Sequence, residues 1–493
     1  MHVSERRAIL VGLGAVAAVA LLRAIVLLTP EAPSGNDGGN WLAFGTFDRP
    51  GMAYPPLVPH LFAVLVRVVG PVNATVVAGT VASAAAALAI IGVFGWARRP
   101  GVGALAALAV VGLRPIGEMV AWGGYPQAIA TAFVLVSLVA EARWLLSGPR
   151  TSLAVFAISI ATVLATSHLV AVPALGAVAL TAVVAGLITR GVSVGRVAAV
   201  VVFSALPFAA LAPTYAALLA TGIPLSDSQA GDLGRVLGPA WPLFIGVLFI
   251  APIGLLIAIA RRSPLKAIES RYLCVIVAGS AAAAVWILAY LVSGEPRLLY
   301  DIAVLSVFGG AALALVAARA IDGARRRNLL AAASFAAVVA ITATGLADFR
   351  DQVGYYQNLS GDRYAAVVWL ASQTPSEPRS ILVADSAGVP VGWWVEGMVG
   401  QEELYASNFR WLRFASELDR AKLANALLYQ SGFPSPVSAL TIRDADVHFV
   451  FLPSAAAFGI NAAEPPPGWR VVFARGDAVV VAPLPTSGLG LMP

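Results

Sequence analysis

The chain is dominated by long apolar runs that are separated by short polar connections. At about twenty apolar residues per membrane span, these runs predict transmembrane helices near residues 8–29, 73–96, 101–116, 125–146, 152–168, 170–189, 197–219, 241–260, 272–293, 300–318 and 329–347. The sequence therefore predicts a polytopic α-helical membrane protein with about eleven transmembrane helices.

The distribution of basic residues predicts the orientation of these helices. Cytoplasmic connections of membrane proteins carry the excess of arginine and lysine. Here the basic residues fall in alternate connections: Arg6 and Arg7; Arg98 and Arg99; Arg143 and Arg150; Arg190 and Arg196; Arg261, Arg262, Lys266 and Arg271; Arg319, Arg325, Arg326 and Arg327. This alternation predicts that the N-terminus is cytoplasmic. Because the number of predicted spans is odd, residues 348–493 are predicted to lie on the extracytoplasmic side. The first apolar run is longer than the core of a usual signal peptide, so we expect an uncleaved anchor.

Two segments differ from this pattern. The first outer connection, residues 30–72, is long and polar at its start, and its part from Leu57 to Val69 predicts an amphipathic helix at the membrane interface. Beyond Asp348 polar residues increase sharply. There, alternating and helical patterns predict helices at 364–372 and 417–430, strands at 380–384 and 448–452, and two strands within 469–483. We expect a transmembrane domain over 1–347 and an extracytoplasmic α/β domain over 348–493.

Composition agrees with a membrane location. The chain is 59% hydrophobic and 12% charged, about half the charged fraction of a soluble domain, and its mean hydropathy is +0.84. The net charge of +6 is explained by topology, so it indicates no nucleic-acid partner. The single cysteine, Cys274, lies in an apolar run, which leaves the outer domain without a disulfide.

Acidic residues at the outer face are the first candidates for chemistry, because an ionisable group there needs a partner or a function. Asp37 lies in AsnAspGlyGlyAsn directly after the first span, where flanking glycines let the backbone turn tightly around a carboxylate. The alternative is an Asx turn in a solvated loop. Asp48 is a similar, weaker candidate, and Glu118 lies in the next outer connection.

The connection that contains Glu118 also holds Trp122, Tyr125 and Gln127. Aromatic rings and amides of this kind suit the face and the hydroxyls of a sugar, although Trp and Tyr at this depth also form the interfacial aromatic belt. His168 lies in a tight outer turn between two spans, where a hydrogen-bonded turn residue is the alternative to a ligand contact.

Three arginines depart from the positive-inside pattern, namely Arg23, Arg114 and Arg297. A guanidinium at the depth of the headgroups can bind a phosphate bidentately, either from bulk phospholipid or from a specific lipid-linked substrate. Walker A, GlyxSerxGly, HisGluxxHis and CysxxCys motifs are absent from the sequence, which argues against a transport ATPase and a zinc enzyme of these classes.

The layout of one span, a long outer loop that opens with an acid, a bundle of further spans and an outer α/β domain resembles the GT-C superfamily of membrane glycosyltransferases. The outer domain also carries TrpLeuAlaSerGlnThrPro, a predicted strand and then GlyTrpTrpValGluGly at 392–397. That last motif is similar to the WWDYG signature of oligosaccharyltransferase catalytic subunits, with Val395 at the position of the signature Asp.

The resemblance implies roles for particular residues. Asp37 falls where the family has its first-loop catalytic acid, Glu118 where many members have a second acid, and Arg297 where related proteins have a basic residue near the lipid phosphate. Further substrate contacts are expected at the remaining candidates: Trp122, Tyr125, Gln127, His168, Trp393, Trp394 and Glu396.

The implied activity is transfer of a hexosyl or pentosyl group from a polyprenyl-phosphate-linked donor to an outer acceptor, with inversion. The acceptor would be a cell-envelope glycan, lipid or protein, and the location the plasma membrane. Asp37 follows Asn36 where an AspxAsp pair is common, so we expect no tightly bound metal, with a divalent ion still possible. A non-catalytic glycan- or partner-binding relative and a transporter of lipid-linked intermediates are the alternatives.

Overall fold

The structure is a computed structural model, and it describes residues 3–47, 52–189, 191–220, 236, 269–320, 324–373, 380–384, 391–400, 404–405 and 417–485. The predicted span at 241–260 and the candidate Asp48 lie outside these residues. The chain divides into two compact units. The first contains Met1–Leu27, Val77–Ala212 and Leu225–Tyr355, and the second Leu28–Val76, Pro213–Pro224 and Tyr356–Pro493.

Helices account for most of the described chain. They are α1 Val3–Leu27, α2 Gly38–Thr46, α3 Leu57–Val69, α4 Pro71–Trp96, α5 Pro100–Gly112, α6 Arg114–Trp122, α7 Tyr125–Ser147, α8 Arg150–Thr166, α9 His168–Thr189, α10 Val194–Ala210, α11 Ala212–Ala220, α12 Ser270–Ser293, α13 Leu298–Ala320, α14 Ala324–Ala347, α15 Phe349–Tyr355, α16 Gly361–Ser372, α17 Gly392–Val399, α18 Glu417–Asn425 and α19 Pro436–Asp444. A π-helical turn, Ala426–Gln430, extends α18.

Among the described residues, six helices are long and apolar enough to cross a membrane, or up to eight if each of two bent pairs forms one span. The chain is therefore a multi-pass membrane protein, and the total of about eleven spans stays a prediction. Apolar side chains on these helices are widely exposed, for example Val11 at 70% and Val194 at 84%. Such exposure is typical of a surface that faces lipid.

The predicted span at 101–116 is broken in the structure. Helix α5 ends at Gly112 and α6 begins at Arg114 with a bend of 49°. Pro115 in the first turn of α6 has its φ fixed near the helical value and needs no partner for the missing N–H, so a new helix begins there. The connection around Glu118 is thus a helix, where the sequence suggested a loop.

The helices of the first unit approach each other through small residues. Helix α14 packs against α5, and a Cβ on Gly112 would lie 2.6 Å from the Cα of Thr342. Close backbone approach at glycine is common between membrane helices. In lipid the hydrophobic effect does not drive helices together, so close van der Waals contact at small residues stabilises their packing.

The second unit contains a five-stranded sheet. Its strands are β1 Ser380–Val383, β2 Leu404–Tyr405, β3 Val447–Leu452, β4 Trp469–Arg475 and β5 Ala478–Pro483, in the order β2-β1-β3-β5-β4. Strand β1 is parallel to β2 and β3, whereas β5 is antiparallel to β3 and β4. One face packs on a core that includes Leu427, Ile442 and Val450. The predicted strands are confirmed, while α17, α19 and β2 were not predicted.

The first outer connection belongs to the second unit by its contacts. Helix α3 spans Leu57–Val69, as the amphipathic pattern predicted. Helix α2, which follows Asp37 directly, was not predicted. Residues 28–37 are fixed by the chain that follows residue 356, because Gln357 Nε2 donates to the Pro33 carbonyl over 3.1 Å and Asn358 Nδ2 donates to Asn36 Oδ1.

Candidate functional site

Asp37 immediately precedes α2 in the second unit. It is half-buried, with φ −92° and ψ 0°, and its carbonyl accepts from the Trp41 N–H over 3.0 Å, which begins the helix. The side chain makes no capping hydrogen bond to this helix. The alternative of an Asx turn in a solvated loop does not fit this position, since the half-buried acid directly precedes a helix whose first seven residues are buried.

The glycines after Asp37 serve a different purpose from the one expected. Neither has a positive φ, which is found instead at Gly35 (φ 92°). A Cβ on Gly38 would lie 2.7 Å from Cζ2 of Trp394, and one on Gly39 would lie 2.7 Å from Cδ1 and 2.9 Å from the backbone nitrogen of the same residue. The two glycines leave room for the Trp394 ring, so the expectation that they form a tight turn is wrong.

Helix α17 presents this tryptophan. Trp394 is 2% exposed, and the helix packs against α2 along its length, with Gly397 close to Leu42. Trp393 is buried beside it. The GlyTrpTrpValGluGly motif thus forms the support on which the chain around Asp37 is fixed.

Glu396, on the same helix, is fully buried. Its Oε1 lies 3.9 Å from Nη1 of Arg420, whose Nη2 lies 3.4 Å from Oε1 of the buried Glu417. A buried carboxylate needs a compensating charge of this kind. The placement favours a structural part for Glu396, which orients α17, over the expected direct substrate contact.

A second cluster lies in the first unit and is centred on Arg297. The guanidinium donates from Nε to Oε1 of Glu295 over 2.8 Å and from Nη2 to Oε2 over 3.0 Å. The Arg297 backbone N–H also donates to Oε1 over 3.0 Å. Arg297 remains 23% exposed at its side chain, so part of its surface is available to a ligand.

The charge of Arg297 acts on the Glu295 carboxyl. Burial alone would raise the pKa of Glu295. The hydrogen bonds from Arg297 and its positive charge outweigh burial, so the pKa of Glu295 lies below the ordinary value. Glu295 is therefore ionised at neutral pH and forms a charge-assisted pair with the arginine.

Buried hydrogen bonds hold the Arg297 backbone from the other side. Gln127 Nε2 donates to the Arg297 carbonyl over 2.7 Å and to Oδ2 of Asp301 over 3.0 Å. Asp301 is 0% exposed and also accepts from Thr131 Oγ1 over 2.6 Å and Trp286 Nε1 over 3.2 Å. Asp301 at the start of α13 thus links this helix to α7 and α12, next to the backbone of Arg297.

The other first-unit candidates lie around this cluster or beside it. His168 begins α9 and lies close enough to Glu295 and Arg297 for their charges to interact. The Trp122 ring, at the end of α6, lies 6.3 Å from the Tyr300 ring between centroids. Glu118 on α6 and Tyr125 at the start of α7 are 4% and 0% exposed.

The structure therefore places the predicted site residues in two groups. In the first unit, Gln127 contacts Arg297, His168 lies within electrostatic range of Arg297, and the Trp122 ring contacts Tyr300. In the second unit, Trp394 packs on the two glycines that follow Asp37, and Trp393 and Glu396 lie on the same helix as Trp394.

The other two unusual arginines differ in their exposure. Arg23 is fully buried, donates to the Leu113 carbonyl over 3.1 Å and lies over the Phe349 ring at 5.3 Å. The expectation that Arg23 binds a lipid headgroup is wrong, because no part of it reaches the surface. Arg114 lies 3.6 Å from Asp348 and is 38% exposed at its side chain.

Glu295, Asp301, Thr131 and Trp286 were not singled out from the sequence. The sequence did hold two signals for this cluster. Glu295 lies two residues before Arg297, and Asp301 lies in the first turn of an apolar span, where an ionisable group needs a partner or a function. Within the described ranges, no group of three or more His, Cys, Asp or Glu residues is arranged to hold a metal ion.

No protein-family model and no curated protein matches the sequence. Among solved structures, ArnT from Cupriavidus metallidurans in the apo state matches with a TM-score of 0.55 at 14% identity, over 95% of this chain and 97% of that chain. ArnT from the same organism bound to undecaprenyl phosphate matches with 0.56 at 14% identity, over 96% and 98%. The archaeal oligosaccharyltransferase AglB from Archaeoglobus fulgidus, with an inhibitory peptide and a dolichol-phosphate, matches with 0.47 at 13% identity, over 89% and 69%. The resemblance that the sequence suggested is thus confirmed for the fold, which the chain shares with ArnT over nearly its whole length.

Proposed function

We propose that the chain is a membrane glycosyltransferase of the plasma membrane. It transfers a hexosyl or pentosyl group from a polyprenyl-phosphate-linked donor to an extracytoplasmic acceptor, with inversion of the anomeric centre. Support for the lipid-phosphate donor comes from ArnT, which shares the fold over nearly the whole chain and has been solved with undecaprenyl phosphate.

The observation that carries the proposal is the packing of Trp394 on Gly38 and Gly39. This contact fixes the position of the adjacent Asp37 from a helix more than 350 residues later in the chain. Catalytic groups act best when their supporting residues hold them rigidly. The sequence shows a glycine pair and a tryptophan motif separately, and the structure joins them at the residue that the GT-C resemblance assigns as the acid.

The chemistry assigned to Asp37 is that of a general base. Its carboxylate accepts the proton of the acceptor hydroxyl as the oxygen attacks the anomeric carbon, and the bond from that carbon to the polyprenyl phosphate oxygen breaks. Proton transfer of this kind contributes about 10²–10⁴-fold in rate. Because a single displacement occurs, the anomeric centre is inverted.

The departing phosphate is assigned to Arg297. A guanidinium binds phosphate oxygens bidentately and stabilises the negative charge that develops on the leaving group. Glu295 occupies two of its donors in the structure, so the phosphate competes with this carboxylate. His168 begins α9 within electrostatic range of Arg297 and Glu295, and it is assigned to substrate binding as the sequence predicted.

The remaining candidates are assigned according to their burial. Gln127 positions the Arg297 backbone, since its amide donates to the Arg297 carbonyl and to Asp301. Trp122 is proposed to pack its ring against the face of the transferred sugar. Glu118 is proposed as the second acid, as the family resemblance implies, and Tyr125 as a substrate contact; both are buried, so the substrate would reach them only through the interior of the first unit.

Transfer in detergent solution tests this function. The wild-type protein is incubated with radiolabelled sugars on polyprenyl phosphate, one hexose and one pentose series, and a membrane extract as acceptor. Transfer from at least one donor, with NMR showing the inverted anomer in the product, is expected. No transfer above a heat-denatured control from any donor, by folded protein, would contradict the proposal.

A further inference from the structure

A surface groove of about 530 Å³ lies within the second unit. It runs along α16, and its lining consists of Glu31, Gly361, Tyr364, Ala365, Val368, Trp369, Ser372 and Arg475. The α16 residues form two adjacent ridges with a spacing of four residues, so one continuous face of the helix forms the wall. This volume lies within the range of about 300–1,000 Å³ that is usual for small-molecule sites.

The aromatic part of the groove is rigid. The Trp369 ring lies 5.6 Å from the Phe449 ring, edge to face, and 5.7 Å from the Phe473 ring at 35°. These contacts come from two strands of the sheet and fix the indole while leaving it partly exposed. Tyr364 is half-buried beside it, and Val368 is 43% exposed. A fixed, partly exposed aromatic surface suits a ligand with a flat apolar face.

The rim of the groove is polar. Arg475 lies 3.0 Å from Oδ1 of Asp362 and 3.6 Å from Oε2 of Glu31. All three side chains are exposed by 43% or more. Two carboxylates face one guanidinium, so the rim carries a net negative charge and disfavours an anionic ligand such as a phosphate or a uronate.

We propose that this groove binds a neutral glycan of the acceptor. A pyranose ring offers C–H groups to the faces of Trp369 and Tyr364, and its hydroxyls can donate to the carboxylates and accept from Arg475. The proposal rests on the proposed transferase function and deepens it, since it names an uncharged oligosaccharide as the acceptor class.

The hydroxyl of Tyr364 fits this ligand. The ordinary pKa of tyrosine is about 10 and burial raises that of Tyr364, so the hydroxyl is protonated at neutral pH and can donate a hydrogen bond. The hydroxyl of Ser372 lies two turns further along the same ridge, at the other end of the groove.

Binding can be measured without the donor. Full-length protein in lipid nanodiscs carries Cys274→Ser and Ser372→Cys, with an environment-sensitive fluorophore on the new thiol. The probes are neutral tetrasaccharides of glucose, mannose and galactose, with a tetragalacturonate as the anionic control. A saturable change with at least one neutral tetrasaccharide, and none with tetragalacturonate, is expected.

Two variants locate the site. Tyr364→Ala should weaken binding about tenfold, whereas Tyr429→Ala, which removes an exposed tyrosine of the same unit, should leave it unchanged. Trp369→Phe keeps the contacts to the sheet and should also weaken binding. Equal affinity in Tyr364→Ala and wild type, or no saturable response to any neutral tetrasaccharide, would overturn the proposal.

The membrane is the competing occupant. If brominated lipids in the nanodisc quench the fluorophore at residue 372, the face lies against the bilayer and the glycan proposal is wrong. Asp37→Asn should bind the tetrasaccharide with wild-type affinity. A protein that binds the glycan but transfers no sugar would contradict only the proposed mechanism. A protein that transfers sugar but binds no glycan in the groove would contradict only the groove proposal.

Discussion

Gly39 and Trp394 lie so close that a Cβ on residue 39 would be 2.9 Å from the backbone nitrogen of residue 394. The tryptophan backbone cannot move away as a flexible side chain end could, because it belongs to α17. The conformation next to Asp37 therefore depends on the absence of a side chain at residue 39. This relationship explains the glycine pair better than backbone flexibility does.

Substitution of Gly39 by Ala should destabilise the protein. Overpacking of this kind costs about 1–3 kcal/mol, and the displaced α2 should also lower transfer activity. Trp394→Ala removes a buried ring and should cost about 3–5 kcal/mol. Thermal unfolding of the two single variants and the double variant measures the coupling.

The double variant supplies the control for that experiment. Because Trp394→Ala removes the clashing ring, Gly39→Ala should cost less in its presence than in the wild type, giving a coupling of about 0.5–3 kcal/mol. Strictly additive effects would show that the two residues do not constrain each other.

The membrane helices could be predicted because an apolar run must satisfy its backbone within one segment. The amphipathic Leu57–Val69 helix also followed from local sequence. Helix α17 did not, since it begins with glycine and two tryptophans and is stabilised by packing on α2. Contacts between residues far apart in the chain leave no periodic signal in either segment.

The hydrogen bonds to Asp301 could not be predicted from the sequence either. An aspartate in the first turn of an apolar helix is usually explained by the helix dipole. Its partners Gln127, Thr131 and Trp286 come from two other helices, and only the packing of the bundle brings these donors to one carboxylate.

Asp301→Asn should destabilise the first unit. Asparagine keeps the shape but replaces one acceptor oxygen by a donor, so at least one of the three buried donors loses its partner. Hydrogen bonds to charged groups contribute about 1.5–3 kcal/mol each, and thermal unfolding in detergent should show a loss of that size. Asp351→Asn, an exposed acid of the same unit, is the matched control. An unchanged unfolding temperature for Asp301→Asn would contradict the network.

Glu295→Gln should strengthen the binding of undecaprenyl phosphate. Loss of the carboxylate frees the Arg297 guanidinium from its bidentate partner, and we expect an affinity gain of about tenfold, or about 1.4 kcal/mol. Arg297→Lys should weaken binding, because an ammonium cannot form the planar two-point contact. Equilibrium binding of the lipid in detergent measures both. Weaker binding by Glu295→Gln would show that the carboxylate positions the arginine and does not compete with the phosphate.

The same pair predicts a pH dependence of stability. The pKa of Glu295 is lowered in the folded state, so its contribution is fully present above the ordinary pKa of about 4.3 and is lost as the pH falls through the lower folded value. The difference in unfolding temperature between wild type and Glu295→Gln should stay constant from about pH 8 to about pH 5 and decrease below that range. A decrease already between about pH 7 and pH 6 would indicate a raised pKa instead.

Membrane topology can be tested with single cysteines in a Cys274→Ser background. Ser372 in α16 is exposed and should react with an impermeant maleimide in intact cells. Ser147 is exposed at the end of α7, in a connection predicted to be cytoplasmic, and should react only after lysis. Labelling of both positions in intact cells would contradict the predicted orientation.

Transfer by Asp37→Asn tests the proposed mechanism most directly. Wild type, Asp37→Asn and the exposed control Asp419→Asn are compared for transfer of radiolabelled sugar from polyprenyl phosphate, with equal amounts of folded protein. The variant at 37 should lose about 10²–10⁴-fold in turnover, while Asp419→Asn, whose side chain is 89% exposed, should keep wild-type turnover. Wild-type turnover by Asp37→Asn would remove this carboxylate from the mechanism.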